Sequence, residues 1–144
     1  MTRKSLFVNI ETLAFGTKTE PRTVPQLRPV HLTIDAIHLP NPHKAFPTLT
    51  GCDPDVRHWL AQHSATKRLL TKTVDDIGNY LLEEVERPAA VQDVNVAIRC
   101  LAGRHRSVAL AYLISEQLLQ EAQLWQHTVI VKLYLTSLKE IPRA

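Results

Sequence analysis

Within the stretch Val94–Val108, VNVAIRCLAGRHRSV, a thiol (Cys100), two guanidiniums (Arg104, Arg106), an imidazole (His105) and a hydroxyl (Ser107) fall close together. Val94, Val96 and Ile98 alternate as in a short buried strand, and the apolar spacing of a helix begins at Ser107. Between them the chain turns through Gly103. A strand, a glycine-bearing turn and a helix start make an anion cradle. The first N–H groups of a helix have no intrahelical partner, and the macrodipole adds partial positive charge there. Arginine adds a planar fork that holds two oxygens at once. The segment therefore reads as a phosphate-binding loop of Gly103, Arg104, His105, Arg106 and Ser107, with Ser107 also expected as the helix N-cap.

The same residues admit a second chemistry. Cys100, five residues, Arg106 and Ser107 match the signature of cysteine-dependent phosphatases. There a thiolate attacks phosphorus, arginine holds the equatorial oxygens and the hydroxyl assists the leaving sulfur. Asp35 or Asp53 would supply the acid. Such enzymes usually carry histidine before the cysteine, where this chain has Arg99. Without catalysis, Cys100 is a small buried residue ending a core strand. Outside the loop, Lys18 is a candidate second phosphate contact. Asp35 is a candidate partner for a hydroxyl or amine, and Asn41, held between Pro40 and Pro42, for the ligand. His58 and His63 are spaced five apart and the other histidines form no Cys/His cluster, so no metal or other cofactor is expected. Arg22, Arg28, Lys67, Arg68 and Lys72 are interspersed with acids and read as a solvated face.

The elements that must position these groups follow from periodicity. Ser5–Leu13 reads as a first strand, Thr19–Pro29 as a proline-punctuated loop and Val30–Ile37 as a second strand ending near Asp35. Asp53 and Pro54 mark a helix start, with the helix running to about His63. A longer helix spans roughly Thr66–Glu86, with Leu69, Leu70, Val74, Ile77, Leu81, Leu82 and Val85 on one broad apolar face. The central strand begins near Asp93. After the loop, a helix runs to about Ala122, and His127–Leu135 is a β-branched last strand. The order β-β-α-α-β-α-β predicts a small layered α/β fold of about four strands, with the last two strands parallel.

At 144 residues, 44% hydrophobic and 22% charged, the chain has the composition of one soluble globular domain. Residues 1–136 are expected to form it, with 137–144 as a flexible tail. A net charge of +3 permits an anionic ligand without requiring one. Two cysteines make no disulfide framework, and no apolar leader or membrane span is visible. Cys52 and Cys100 are expected as free thiols in the cytoplasm.

Three places give the chain a family likeness. Ala14-Phe15-Gly16-Thr17-Lys18 resembles Ser-Phe-Gly-x-Lys. Asp35-Ala36-Ile37-His38-Leu39-Pro40-Asn41-Pro42, followed by Thr50-Gly51-Cys52-Asp53, resembles Asp-x-Arg-x-Leu-Pro-Asn-Pro then Thr-Gly-x-Asp. Cys100–Val108 resembles Cys-Thr-Gly-Gly-x-His-Arg-Ser-Val. All three are motifs of the C-terminal domain of the RapZ family, the RNase adapter proteins of YvcJ type. The resemblance implies a regulatory, non-catalytic domain that binds a phosphorylated amino sugar, glucosamine 6-phosphate in enterobacterial members. It also implies a small RNA as partner, presented to an endoribonuclease, while homo-oligomerisation stays open. Full-length members carry a nucleotide-binding domain with a Walker A motif in front. This chain has no Gly-x-x-x-x-Gly-Lys-Ser/Thr and is expected to be the ligand-binding half alone. Ile37, Leu101 and Ala102 replace the family's arginine, threonine and first loop glycine, and Leu133-Tyr134-Leu135 stands where the family has His-Arg-Asp.

Overall fold

A computed structural model of the chain describes residues 4–14, 25–27, 29–87, 91–102, 104–123 and 125–139. The elements are β1 (Ser5–Ala14), β2 (Leu32–Asp35), α1 (Pro54–Ala61), α2 (Ser64–Glu86), β3 (Val91–Cys100), α3 (Arg106–Ala122), β4 (Thr128–Tyr134) and α4 (Thr136–Lys139). The predicted order is kept, with α4 added at its end. The strands form one four-stranded sheet in the order β2-β3-β1-β4, and each pairing is parallel. The fold is α/β.

β3 and β4, joined across α3, are parallel but not neighbours, because β1 lies between them. β1 and β3 are the two inner strands, and β2 and β4 the edge strands. β1 pairs with β3 from Ser5↔Val91 to Ala14↔Cys100 and with β4 from Ser5↔Thr128 to Glu11↔Tyr134. Leu6, Val8 and Ile10 join Val94, Val96 and Ile98 in the core with Val56, Leu60, Ile77, Leu81, Leu110 and Ile114 of the helices.

Among the residues that alternate with these on β1 and β3, Asn9, Glu11 and Asn95 are polar yet buried. Glu11 is wholly buried. Its carboxylate accepts the N–H groups of Gln26 at 2.9 and 3.1 Å and of Leu27 at 3.2 Å, and the Thr136 hydroxyl at 2.5 Å. One acid thus ties down the 25–27 segment ahead of β2 and the start of α4. Thr136 and Ser137 are buried, and Ser137 Oγ lies 2.8 Å from Thr12 Oγ1. Residues 137–139 of the expected tail are therefore helix, with Ser137 buried, and 140–144 lie outside the described residues.

Boundaries differ where side chains capture backbone. β2 is shorter than the expected Val30–Ile37. The His31 backbone N–H already bonds Asn95 O at 2.8 Å, but Ile37 O turns away from the sheet towards Arg106. α1 starts at Pro54 as predicted, though Asp53 does not cap it through its side chain. The Asp53 carboxylate instead accepts Thr50 N–H at 3.0 Å, closing the turn that precedes the helix.

Candidate functional site

A parallel sheet sends the carboxyl ends of its strands to one edge. Asp35 ends β2 there and Cys100 ends β3, so the 36–53 connection and the 101–105 turn meet above the sheet. Gly51 forms the tightest joint. A Cβ at that position would stand 2.2 Å from Ala109 N, 2.5 Å from His105 O and 2.8 Å from Val108 C, so only glycine lets the Thr50–Asp53 turn lie against the first turn of α3. Its N–H bonds Arg104 O at 3.0 Å.

α3 starts one residue earlier than expected. Arg106 is its first residue and His105 occupies the cap position, so Ser107 is not the N-cap. Inside the helix, Ser107 Oγ accepts the Cys100 Sγ–H at 3.2 Å, and both side chains are buried. The first intrahelical bond runs from Ala109 N–H to His105 O at 2.8 Å, which leaves the preceding N–H groups without helix acceptors.

The two arginines are used differently. Arg106 is 8% exposed, and its Nη1 donates to Ile37 O at 2.6 Å and to Leu39 O at 3.4 Å. It pins the Leu39-Pro40-Asn41-Pro42 segment to the start of α3. Arg104 carries the opposite signal: its Nε is buried and has no hydrogen-bond partner among the described residues. A cationic N–H withdrawn from water and left unpaired is costly.

His105 is buried between these arginines. Its Nε2–H donates to Phe46 O at 3.1 Å; a carbonyl can only accept, which places the proton on Nε2. Burial holds its pKa below the ordinary histidine value, and Arg104 and His43 push the same way, while the Phe46 and Leu49 backbones pull it up. The His43 ring meets it edge-on at 5.8 Å between centroids. His105 thus docks the loop on the 36–50 connection as a neutral ring.

Asp35 stands at the same edge but is engaged by its neighbour: Arg99 Nη2 lies 2.8 Å and Arg99 Nε 3.0 Å from Asp35 Oδ1. Asn41 is exposed, and its Oδ1 accepts His43 N–H at 3.1 Å, an Asx turn. Gly103 and Lys18 lie outside the described residues. Arg104, His105, Arg106, Ser107, Asp35 and Asn41 are therefore brought to one edge. Gly51, Phe46 and Arg99 belong to the same assembly and were not among the expected site residues. For Gly51 the Thr-Gly-x-Asp motif was the available signal; for Phe46, which acts through its carbonyl, there was none. Among the described residues no group of three His, Cys, Asp or Glu could hold a metal ion. No helix of the described residues is long and apolar enough to cross a membrane.

The fold and this edge define a class: a parallel α/β domain with polar groups gathered outside the carboxyl ends of its strands, where such sheets receive ligands. The chain belongs to the RapZ C-terminal domain family, whose pattern matches residues 8–132. It is 42% identical over 87 residues to a nucleotide-binding protein of Brevibacillus brevis, covering 59% of this chain and 29% of that protein. A nucleotide-binding protein of Listeria monocytogenes is 35% identical over 121 residues, 82% of this chain and 38% of that one. A third, from Thermotoga neapolitana, is 32% identical over 117 residues, 79% and 39% of the two chains. The matched region is thus about a third of the length of these relatives.

Proposed function

We propose that this domain is a non-catalytic regulatory module that binds a phosphorylated small molecule at the edge formed by Arg104, His105, Arg106 and Ser107. The observation that carries the reading is the buried, unpartnered Nε of Arg104 beside the open start of α3. A phosphate would bring the missing acceptor and meet the free N–H groups of the first helical turn. Gly103 and Lys18 belong to the proposed site by their place in the family motifs, and Asp35 and Asn41 are proposed to face the rest of the ligand. An amino-sugar phosphate such as glucosamine 6-phosphate is the ligand class that family membership favours. The relatives named nucleotide-binding proteins support small-molecule binding in their longer chains.

Two observations weigh against cysteine phosphatase chemistry. Cys100 is 2% exposed with its thiol hydrogen directed at Ser107. Arg106 Nη1, which that mechanism would aim at phosphorus-bound oxygens, is spent on two carbonyls.

The test is thermal unfolding of wild type, Arg104→Ala and Cys100→Ser against glucosamine 6-phosphate, other sugar phosphates and inorganic phosphate. A ligand at 100 times its Kd stabilises by about 2.7 kcal/mol. Stabilisation by a sugar phosphate should survive Cys100→Ser and vanish in Arg104→Ala. Absence of any response to phosphorylated ligands would overturn the proposal. Tight binding of structured RNA that weakens steeply with salt would instead favour an RNA-adapter role. Phosphate release abolished by Cys100→Ser would favour the phosphatase.

A further inference from the structure

On the sheet face opposite the apolar core, an open cavity of about 470 Å³ is lined by Asn9, Asp93 and Asn95 of the sheet, His31 ahead of β2, and Glu84 and Arg87 at the end of α2. Its volume is in the range of small-molecule sites. The lining is a connected network rather than a loose collection of surface groups. Asn9 Nδ2 donates to Asp93 Oδ1 at 3.1 Å and to Asn95 Oδ1 at 3.0 Å, which uses both of its hydrogens. Asn95 Nδ2 donates to Pro29 O at 2.9 Å, and Asn95 N–H donates to His31 Nδ1 at 2.9 Å.

These bonds fix what remains. Among the described residues, nothing donates to the Asn9 side-chain oxygen or the second Asp93 oxygen, and both remain as acceptors. With Nδ1 accepting, His31 carries its proton on Nε2 as a donor, and Asn95 keeps one amide hydrogen. Asn9 and Asn95, each 7% exposed, hold this pattern in place on paired positions of β1 and β3. A hydroxyl group both donates and accepts, so fixed donors and acceptors interleaved in this way suit a polyol.

The charge of the lining differs from that of the other edge. Asp93 and Glu84 outnumber Arg87, which already pairs with Glu84 at 3.3 Å. The last carbonyls of α2 are met by the Lys4 ammonium, which donates to Val85 O and Arg87 O, so that cation is already engaged. We infer that this cavity is a second binding site, for a small hydroxyl-rich molecule that carries no anionic group.

The experiment is an NMR titration of the whole chain with glucose, inositol, glucosamine, glucose 6-phosphate and inorganic phosphate, following the side-chain amides of Asn9 and Asn95. A non-anionic polyol should shift both amides saturably, whereas inorganic phosphate should not. Asp93→Asn keeps an acceptor for Asn9 but turns the outward oxygen into a donor, and should weaken binding by about tenfold or more with an unchanged melting temperature. Arg87→Gln, a substitution at the rim, provides a second folded variant and should also weaken binding. The inference is overturned if no polyol moves these amides, if inorganic phosphate moves them as strongly, or if Asp93→Asn leaves the affinity unchanged. Because the readout sits on Asn9 and Asn95, ligand binding at Arg104 and His105 is told apart from it.

Discussion

At the residue scale, Gly51 and His105 show how chemistry and architecture share the same positions. Gly51 has no room for a methyl group against Ala109 N and His105 O, both backbone atoms that cannot swing aside. Gly51→Ala should therefore cost about 3 kcal/mol or more, read as a fall in the denaturant midpoint at unchanged m-value. His105 gives a pH dependence. Its pKa is lowered in the folded chain, chiefly by burial, from an unfolded value near 6.5. In the window below 6.5 the unfolded chain takes up the proton first, so stability falls as pH drops and levels off below the folded pKa. Above the unfolded value the contribution is fully present. Unfolding curves from pH 8 to pH 5 should show this loss, and His105→Gln should flatten it.

At the element scale, buried polar side chains decide where segments stop and what they hold. Arg106 acts as a clamp across the 36–42 connection, so Arg106→Ala should cost about 2–3 kcal/mol even without ligand, since it strips the Ile37 and Leu39 carbonyls of a charged donor. That makes Arg104 the cleaner probe of binding. Glu11 holds the 25–27 segment and α4 from the middle of the sheet. In Glu11→Ala, hydrogen exchange at the Gln26 and Leu27 amides should accelerate more than at the β1 amides, because the substitution removes their acceptor directly. α2 offers the reverse case: a Cβ at Gly78 would meet nothing within 4 Å. Gly78→Ala should stabilise the protein by about 1 kcal/mol, seen as a higher melting temperature.

At the scale of the whole molecule, the parallel sheet has open edges at β2 and β4. β4 is half-buried along its length, apart from exposed Lys132, whose ammonium sits 5.1 Å from the Phe7 ring centroid. A lysine on an edge strand discourages strand addition from another chain. Lys132→Val should raise self-association, measured by light scattering against concentration.

Read without coordinates, the chain already determined its class and the order of its elements. Period-two runs such as Val94-Asn95-Val96-Ala97-Ile98 and the broad apolar stripe of α2 are local properties, legible wherever burial has one face to choose. The motifs at Asp35–Pro42, Thr50–Asp53 and Cys100–Val108 likewise marked the edge where function would gather. What required the tertiary structure were the partners of polar groups. Ser107 lies inside α3 and accepts the Cys100 thiol hydrogen, Arg106 turned to the Ile37 and Leu39 carbonyls, and Glu11 found amides far along the chain. Local spacing cannot select among such partners, because each choice depends on which distant groups are also removed from water. Strand order was decided in the same way: β1 lies between β3 and β4 through pairings with segments far along the chain, which no local pattern selects.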